Sequence, residues 1–308
     1  MMSLGILHRL SSSDGIFLRP GTDEKNAKRV IFLSVEGSTE EDYFRHLYSV
    51  LRQKYNGDLP FVLHVLKHSN DCHSDPENVF RLLEECALIR EDAYLFKDTM
   101  QKLSSYFTQE RVIEFFKNPD AFSTDEQRKF FGELVKVGIN VNYYQWVRQV
   151  GGAESEDVFG IVLDRDVKSH KESVLKEIAA KCQERNFRFY LTNPCFDFWL
   201  LLHLCDVTTN ATEAQKRYLL RNKKLSNKHT YVSRIVSGLA GHSKSIRLKT
   251  FEKIYFPNIK LACERSSDFA VAFEEVLKSI GSTLPDFIKE IFTQIDDSWN
   301  SSIATTNN

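Results

Sequence analysis

An α/β fold, with a parallel sheet flanked by helices, is what this 308-residue sequence predicts. Two apolar runs, Val30 to Val35 and Val158 to Leu163, have the length of buried strands, and each is followed directly by a carboxylate, Glu36 or Asp164. Helical spacing follows both runs, and a strand–helix–strand–helix order argues parallel pairing through right-handed crossovers. The third observation is Thr192-Asn193-Pro194, which separates a short strand at Phe187 to Leu191 from an apolar run of helical character. Asn193 reads as an N-cap and Pro194 as the first helical residue, so a helix is expected to begin there.

Residues 1–27 read as a flexible polar leader, with a turn at Ser13-Asp14-Gly15 and a break at Pro20-Gly21. After the first strand, a helix from about Thr39 to Tyr55 places Tyr43, Phe44, Leu47, Val50 and Leu51 on one face. Glu40, Glu41 and Asp42 fall in its first turn, where acids complement the helix dipole. Phe61 to Lys67 alternates as a strand, and Asp75-Pro76 opens a further helix with proline at its first position. Residues 87–148 are helical with looser periodicity, and Ser123-Thr-Asp-Glu126 has capping-box spacing. That stretch reads as an insertion, because it separates two strands whose acids belong together. Lys171 to Arg185 is amphipathic. Beyond Val207 only helices are expected, over 213–222, 229–240, 258–280 and 285–295. The expected organisation is therefore a domain over 28–205 carrying a helical insertion at 87–148, a helical C-terminal region over 206–299, and a disordered tail over 300–308.

Composition bounds the function. Hydrophobic residues make up 42% and charged residues 27%, values typical of a globular chain. Lys and Arg total 41 against 42 Asp and Glu, so overall charge decides nothing. Locally, residues 211–260 hold 12 Lys and Arg against 2 Asp and Glu, whereas 71–160 hold 10 against 17. A basic segment of that size invites phosphate. The six cysteines form no CxxC or CxxH spacing and read as reduced thiols of a cytoplasmic protein. No apolar run approaches the ~18 residues needed to cross a bilayer, and no signal-peptide core is present, so no membrane association is expected.

Glu36 sits at the C-terminal lip of its strand, where open α/β sheets place their chemistry. Asp164 and Asp166 are two residues apart and project to one side. Three hard oxygen donors of this kind can hold a divalent cation for phosphodiester chemistry. The same acids also read as a helix cap (Asp166) and an edge carboxylate (Asp164). A haloacid-dehalogenase-type phosphatase uses a strand ending in DxD, but Val167-Lys168 is an unlike continuation and Glu36 would go unused. A sugar-nucleotide transferase DxD has nothing else in its favour, and no Walker A loop exists. Candidate supporting residues are Glu40, Asn193, Asp197, His203 and Lys168. His203 also reads as a satisfied core histidine, Asn193 as a cap, Lys168 as a solvated lysine, and Phe196 and Trp199 as packing groups. Lys216, Arg217, Arg221, Lys223, Lys224 and Lys228, interleaved with Tyr218 and Tyr231, are candidate nucleic-acid contacts; solvated helix faces are the alternative.

Glu36-Gly37 with Thr39-Glu40, the Asp164/Asp166 pair, and Asn193-Pro194-Cys-Phe-Asp197-Phe-Trp199-Leu-Leu-Leu-His203 together resemble the RloB-like proteins of the Toprim superfamily. The resemblance covers roughly residues 28–205 and, weakly, the helical end. It implies a Toprim-like (Rossmann-like) fold, Glu36 as general acid/base or metal ligand, and Asp164 and Asp166 holding Mg²⁺ (or Mn²⁺). The family motif carries Glu where this chain has Asp197, one methylene shorter, and the 87–148 insertion is longer than the family's pattern. Proteins of this kind are encoded in bacterial restriction and phage-defence loci, often beside an ABC/AAA-type ATPase. The expectation is a metal-dependent nuclease acting on DNA or RNA (tRNA included) in anti-phage defence as effector of such an ATPase, with a homodimer in view. A non-enzymatic or latent partner or scaffold of that ATPase is the alternative, and a Toprim-type nucleotidyl transferase a third reading. A strand-passage topoisomerase is disfavoured, since its tyrosine nucleophile needs a further domain.

Overall fold

The computed structural model describes residues 29–67, 75–91, 103–137, 139, 141–152, 156–166, 170–227, 229–241 and 245–296. The leader over 1–27, the tail over 300–308, Lys168 and Lys228 lie outside the described residues. Five strands form one sheet: β1 (Arg29–Val35), β2 (Phe61–Leu66), β3 (Glu156–Asp164), β4 (Arg188–Asn193) and β5 (Gly281–Ser282), in the order β2-β1-β3-β4-β5. The first four are parallel, and β5 adds antiparallel to β4. β1 is buried on both faces from Val30 to Val35, as its apolar run requires, and the one polar residue within that run, Ser34, donates to the Val79 carbonyl.

The connections explain where chemistry can sit. Helix α1 (Ser38–Lys54) carries the chain from β1 outward to β2. The return crosses β1 to reach β3 through α2 (Pro76–Arg90), α3 (Gln109–Lys117), α4 (Thr124–Lys136) and α5 (Val141–Gln149). Helix α6 (Glu172–Glu184) then leads to β4. Connections leave β1 and β3 in opposite directions, which makes the C-terminal ends of these two neighbours the topological switch point, where open α/β sheets place their ligands.

Two apolar layers cover the sheet. On one face, α2, α3, α4, α5 and α6 share a core with Val30, Phe32, Ile161 and Leu163. On the other, α1 and α7 (Phe196–Leu204) join α8 (Glu213–Arg221), α9 (Tyr231–Ala240), α10 (Ile259–Ser266) and α11 (Leu284–Ile295) around Ile31, Leu33, Val35 and Val162. Helix α7 is apolar all round because it is buried all round, between the sheet and the C-terminal helices. Helices of the expected insertion thus contribute to the same core as the sheet: Trp146 of α5 lies 4.1 Å, ring to ring, from His64 of β2.

Local signals behave as their chemistry dictates. Asp75 caps α2 with Pro76 at its first turn, and Ser123 and Glu126 close a capping box on α4. Three expectations are corrected. Asn193 ends β4 rather than capping a helix, the Asn193–Pro194 peptide is cis, and α7 begins at Phe196 with Cys195 at its N-cap. The stretch 258–280 is not one helix: α10 ends at Ser266 and a separate turn of helix runs Phe273–Val276. The region beyond Val207 also supplies a strand, β5, whose Gly281 lies so close to the Ala270 carbonyl that a Cβ there would overlap it. Two residues of strand carry no readable alternation. Among the described residues no helix is long and apolar enough to cross a membrane.

Candidate active site

Register places the acids. Val35 of β1 pairs with Val162 of β3, so Glu36 and Asp164 leave adjacent strands at the same lip. The Asp164 backbone N–H donates to Glu36 Oε2 at 3.2 Å. The Asp164 carboxylate turns the other way: its Oδ1 accepts from the Phe196 backbone N–H at 2.7 Å, on the first turn of α7. A helix N-terminus presents free N–H groups and a positive dipole end, which suits a carboxylate. Asp164 therefore supplies the cap that Cys195 does not.

Glu40 joins this group. The sequence assigns it to the dipole of α1, yet the side chain is buried at 5% exposure and lies back over Gly37. A Cβ on Gly37 would stand 2.6 Å from Glu40 Oε2, so only glycine leaves room for that carboxylate. Burial, with the neighbouring Asp197, raises its carboxyl to about 7, against the backbone N–H groups of Glu40 and Gly37 and the Lys67 ammonium, which favour its charge. Glu36 rises to about 8, first through burial, then through Glu40, Asp166 and Asp75. Asp164 is pushed well above the ordinary carboxylate range by burial and by Glu40, Glu36 and Asp197.

Glu36, Glu40, Asp164, Asp166 and Asp197 thus form one acidic group whose members disfavour one another's ionisation, with Asp166 exposed at its rim. Asp197, on α7, adds to the repulsion at Glu40 and Asp164. Two members were not read from the sequence. Asp75, the cap of α2, contributes to the field at Glu36. His170 points Nδ1 at the Asp164 carbonyl, 2.9 Å away, and Nε2 at Glu36 Oε1, 3.6 Å away. A carbonyl only accepts, so Nδ1 carries the proton and Nε2 faces the acid. The only sequence signal for His170 is its place four residues after Asp166 in the loop leaving β3. Between the two aspartates, Arg165 is buried and turns away, donating to the carbonyls of Leu277 at 3.0 Å and His170 at 2.6 Å.

Two candidate supports have structural work. His203 donates from Nδ1 to the Trp199 carbonyl at 2.9 Å and accepts at Nε2 from the Tyr43 hydroxyl at 3.1 Å. Burial lowers it to about 3, so it is a neutral core residue among Tyr43, Trp199 and Tyr255. Asn193 donates from Nδ2 to the Val276 carbonyl at 2.6 Å, tying β4 to the turn before β5.

The donor set is all carboxylate oxygen, which fits a hard divalent cation, and acids raised first by burial and then by one another are a setting that one bound cation would relieve. Among the described residues no three His, Cys, Asp or Glu groups already converge as a metal cage. The fit is therefore of charge and donor type.

The basic segment lies against this site. Asn222, in the left-handed conformation at the end of α8, donates from Nδ2 to Cys195 Sγ at 3.2 Å and accepts at Oδ1 from the Val232 N–H at 3.0 Å. Cys195 immediately precedes the amide that holds Asp164. Arg217, Arg221, Lys223 and Lys224 are exposed around that anchor, while Lys216 is half-buried and pairs with Glu213 at 2.9 Å.

Neither a curated protein nor a solved structure matches the chain. The family model described as RloB-like protein matches residues 31–296, a span that takes in the sheet, the acid cluster and the C-terminal helices, and the chain belongs to the RloB-like family.

Proposed function

We propose that the chain is a Mg²⁺- or Mn²⁺-dependent nuclease of the Toprim type, serving as the nucleic-acid-cutting effector of an ATPase partner in bacterial anti-phage defence. The observation that carries the reading is the meeting of Glu36 and Asp164 at one lip of adjacent strands, where the Asp164 N–H donates to Glu36 Oε2, with a basic segment anchored beside them through Asn222 and Cys195. Glu36, Asp164 and Asp166 would hold the cation. A bound cation would neutralise charge on the phosphate and lower the pKa of water at the site. Glu36 is suited to hold or release a proton at its Oε atoms near neutrality, because burial and its acidic neighbours bring it to about 8. The Phe196 N–H fixes the Asp164 carboxylate, and His170 Nε2 faces Glu36 Oε1 from the opposite side of the lip.

The test is cleavage of plasmid, single-stranded DNA and tRNA with Mg²⁺, Mn²⁺ or EDTA, comparing wild type with Glu36→Gln and Asp166→Ala. Metal-dependent cleavage lost in both variants, with circular dichroism unchanged, is the expected result. Cleavage that survives both substitutions would overturn the assignment. One observation favours a second reading, a latent partner or scaffold of the ATPase: the acids are held by internal hydrogen bonds, and among the described residues they do not yet form a cage. Activity that emerges only on adding the ATPase would identify the latent form.

A further inference from the structure

The surface around Asn222 has more than charge. Helix α8 ends at Arg221, the chain turns through Asn222, and Lys224 pairs with Thr230 in an isolated antiparallel bridge. The turn is closed by the Leu225 and Ser226 N–H groups donating to the His229 carbonyl, at 2.8 and 3.1 Å, and by the Tyr231 N–H donating to the Lys223 carbonyl at 2.9 Å. It is a short, hydrogen-bonded projection. Tyr218 is 52% exposed, and the Tyr231 ring lies beside its ring, 6.0 Å between centres and tilted by 41°. Leu225, at the turn, is 55% exposed. Arg217, Arg221, Lys223 and Lys224 are exposed on the same projection.

Exposed aromatic faces offer nothing to a duplex backbone, whose bases are stacked and paired. They do serve unpaired bases, every one of which has a π-face, while neighbouring cations track the phosphates. We infer that the α8–turn–α9 projection, with Tyr218 backed by Tyr231 and ringed by Arg217, Arg221, Lys223 and Lys224, is a stacking platform for single-stranded nucleic acid. Its Asn222 anchor to Cys195 sets the strand beside the acid cluster. This names the substrate class of the proposed nuclease and rests on that reading only for what happens after the strand is bound. A loop or single-stranded end of RNA and a single strand of DNA share the required chemistry.

The experiment is fluorescence anisotropy in EDTA, where no metal-dependent cleavage can occur, with labelled single-stranded DNA, single-stranded RNA and a duplex of the same sequence. Full-length wild type, Tyr218→Ala and Tyr218→Phe are compared over a salt series. The ring is exposed, so both variants should fold as wild type, with circular dichroism as the check. The expected result is tighter binding of either single strand than of the duplex. Tyr218→Ala should lose roughly 5- to 100-fold on the single strand, and Tyr218→Phe should stay within about twofold. The tyrosine effect should persist at salt concentrations where the lysine and arginine contribution has faded. Equal binding of duplex and single strand, a Tyr218→Ala variant that binds as wild type, or no binding of any oligonucleotide would each overturn the platform. Because the cation is absent, those outcomes say nothing about the acids. The nuclease reading stands or falls separately, on metal-dependent cleavage and its loss in Asp166→Ala.

Discussion

Glu85 gives the clearest test of the electrostatics in this fold. It lies on the inner face of α2 at 6% exposure, and its Oε1 accepts from the Tyr144 hydroxyl at 2.9 Å. That hydrogen bond favours the carboxylate, but burial outweighs it and the carboxyl rises from 4.5 to about 7. The folded chain therefore holds this proton more tightly than the unfolded chain. Below the ordinary carboxyl range both states are protonated and the group costs nothing. Between 4.5 and about 7 the unfolded chain loses the proton first, so stability declines as pH rises. Above about 7 both states are ionised and the decline levels off. At roughly 1.4 kcal/mol for each pH unit across that gap, the buried charge costs about 3 kcal/mol, a large share of the ~5–15 kcal/mol that holds a typical domain. Glu85→Gln keeps an oxygen for Tyr144 and removes the charge. Urea unfolding of both proteins, followed by circular dichroism at a series of pH values, should give a stability difference near zero at about pH 4. By about pH 8 it should grow to about 3 kcal/mol in favour of the variant. The acids at the switch point are present in both proteins and cancel in the difference. A difference that stays flat with pH, or a wild type that is the more stable protein at high pH, would refute the reasoning.

Two further substitutions probe the site and its support. Gly37→Ala should fold but drive the Glu40 carboxylate from its place, lowering cleavage roughly 10- to 100-fold, as small misplacements at active sites do; a wild-type rate would show that Glu40's position is immaterial. Arg90 donates to both oxygens of Asp157, at 2.8 and 2.9 Å, and to the carbonyls of Val147, Arg148 and Val150 at the end of α5. Arg90→Met leaves a half-buried acid and three carbonyls without that partner and should cost about 3 kcal/mol in denaturant unfolding. A loss under 1 kcal/mol, the order expected of a surface ion pair, would contradict this account.

The parts of the fold legible in the sequence are those set by neighbours along the chain. β1 and β3 are continuous apolar runs, α1 repeats its inward face at helical spacing, and Asp75-Pro76 and Ser123–Glu126 form their caps within four residues. Glu36 and Asp164 were legible as a pair because strand ends in an open parallel sheet converge on one lip. The basic turn was legible as charge, although its platform geometry was not. What escaped depends on partners far away in sequence. Glu40 is legible as a candidate support from its first-turn position, but its burial, over a Gly37 that leaves it room, is not. Asn193 has the chemistry of a cap, but β4 runs on through it and the Val276 carbonyl takes its side chain. β5 is two residues long and exists because β4 offers an open edge.

By itself, the sequence determined that two acid-tipped strands would lie in an α/β sheet, since the continuous apolar runs and the helical spacing that follows them act over a few residues. The tertiary structure decided which acids meet. Asp164 is joined to Phe196 across 32 positions and Glu36 to Asp164 across 128, through backbone amides of elements with no local relation. It also decided the charge these acids carry, because burial and mutual repulsion exist only once the strands, α1 and α7 have closed around them.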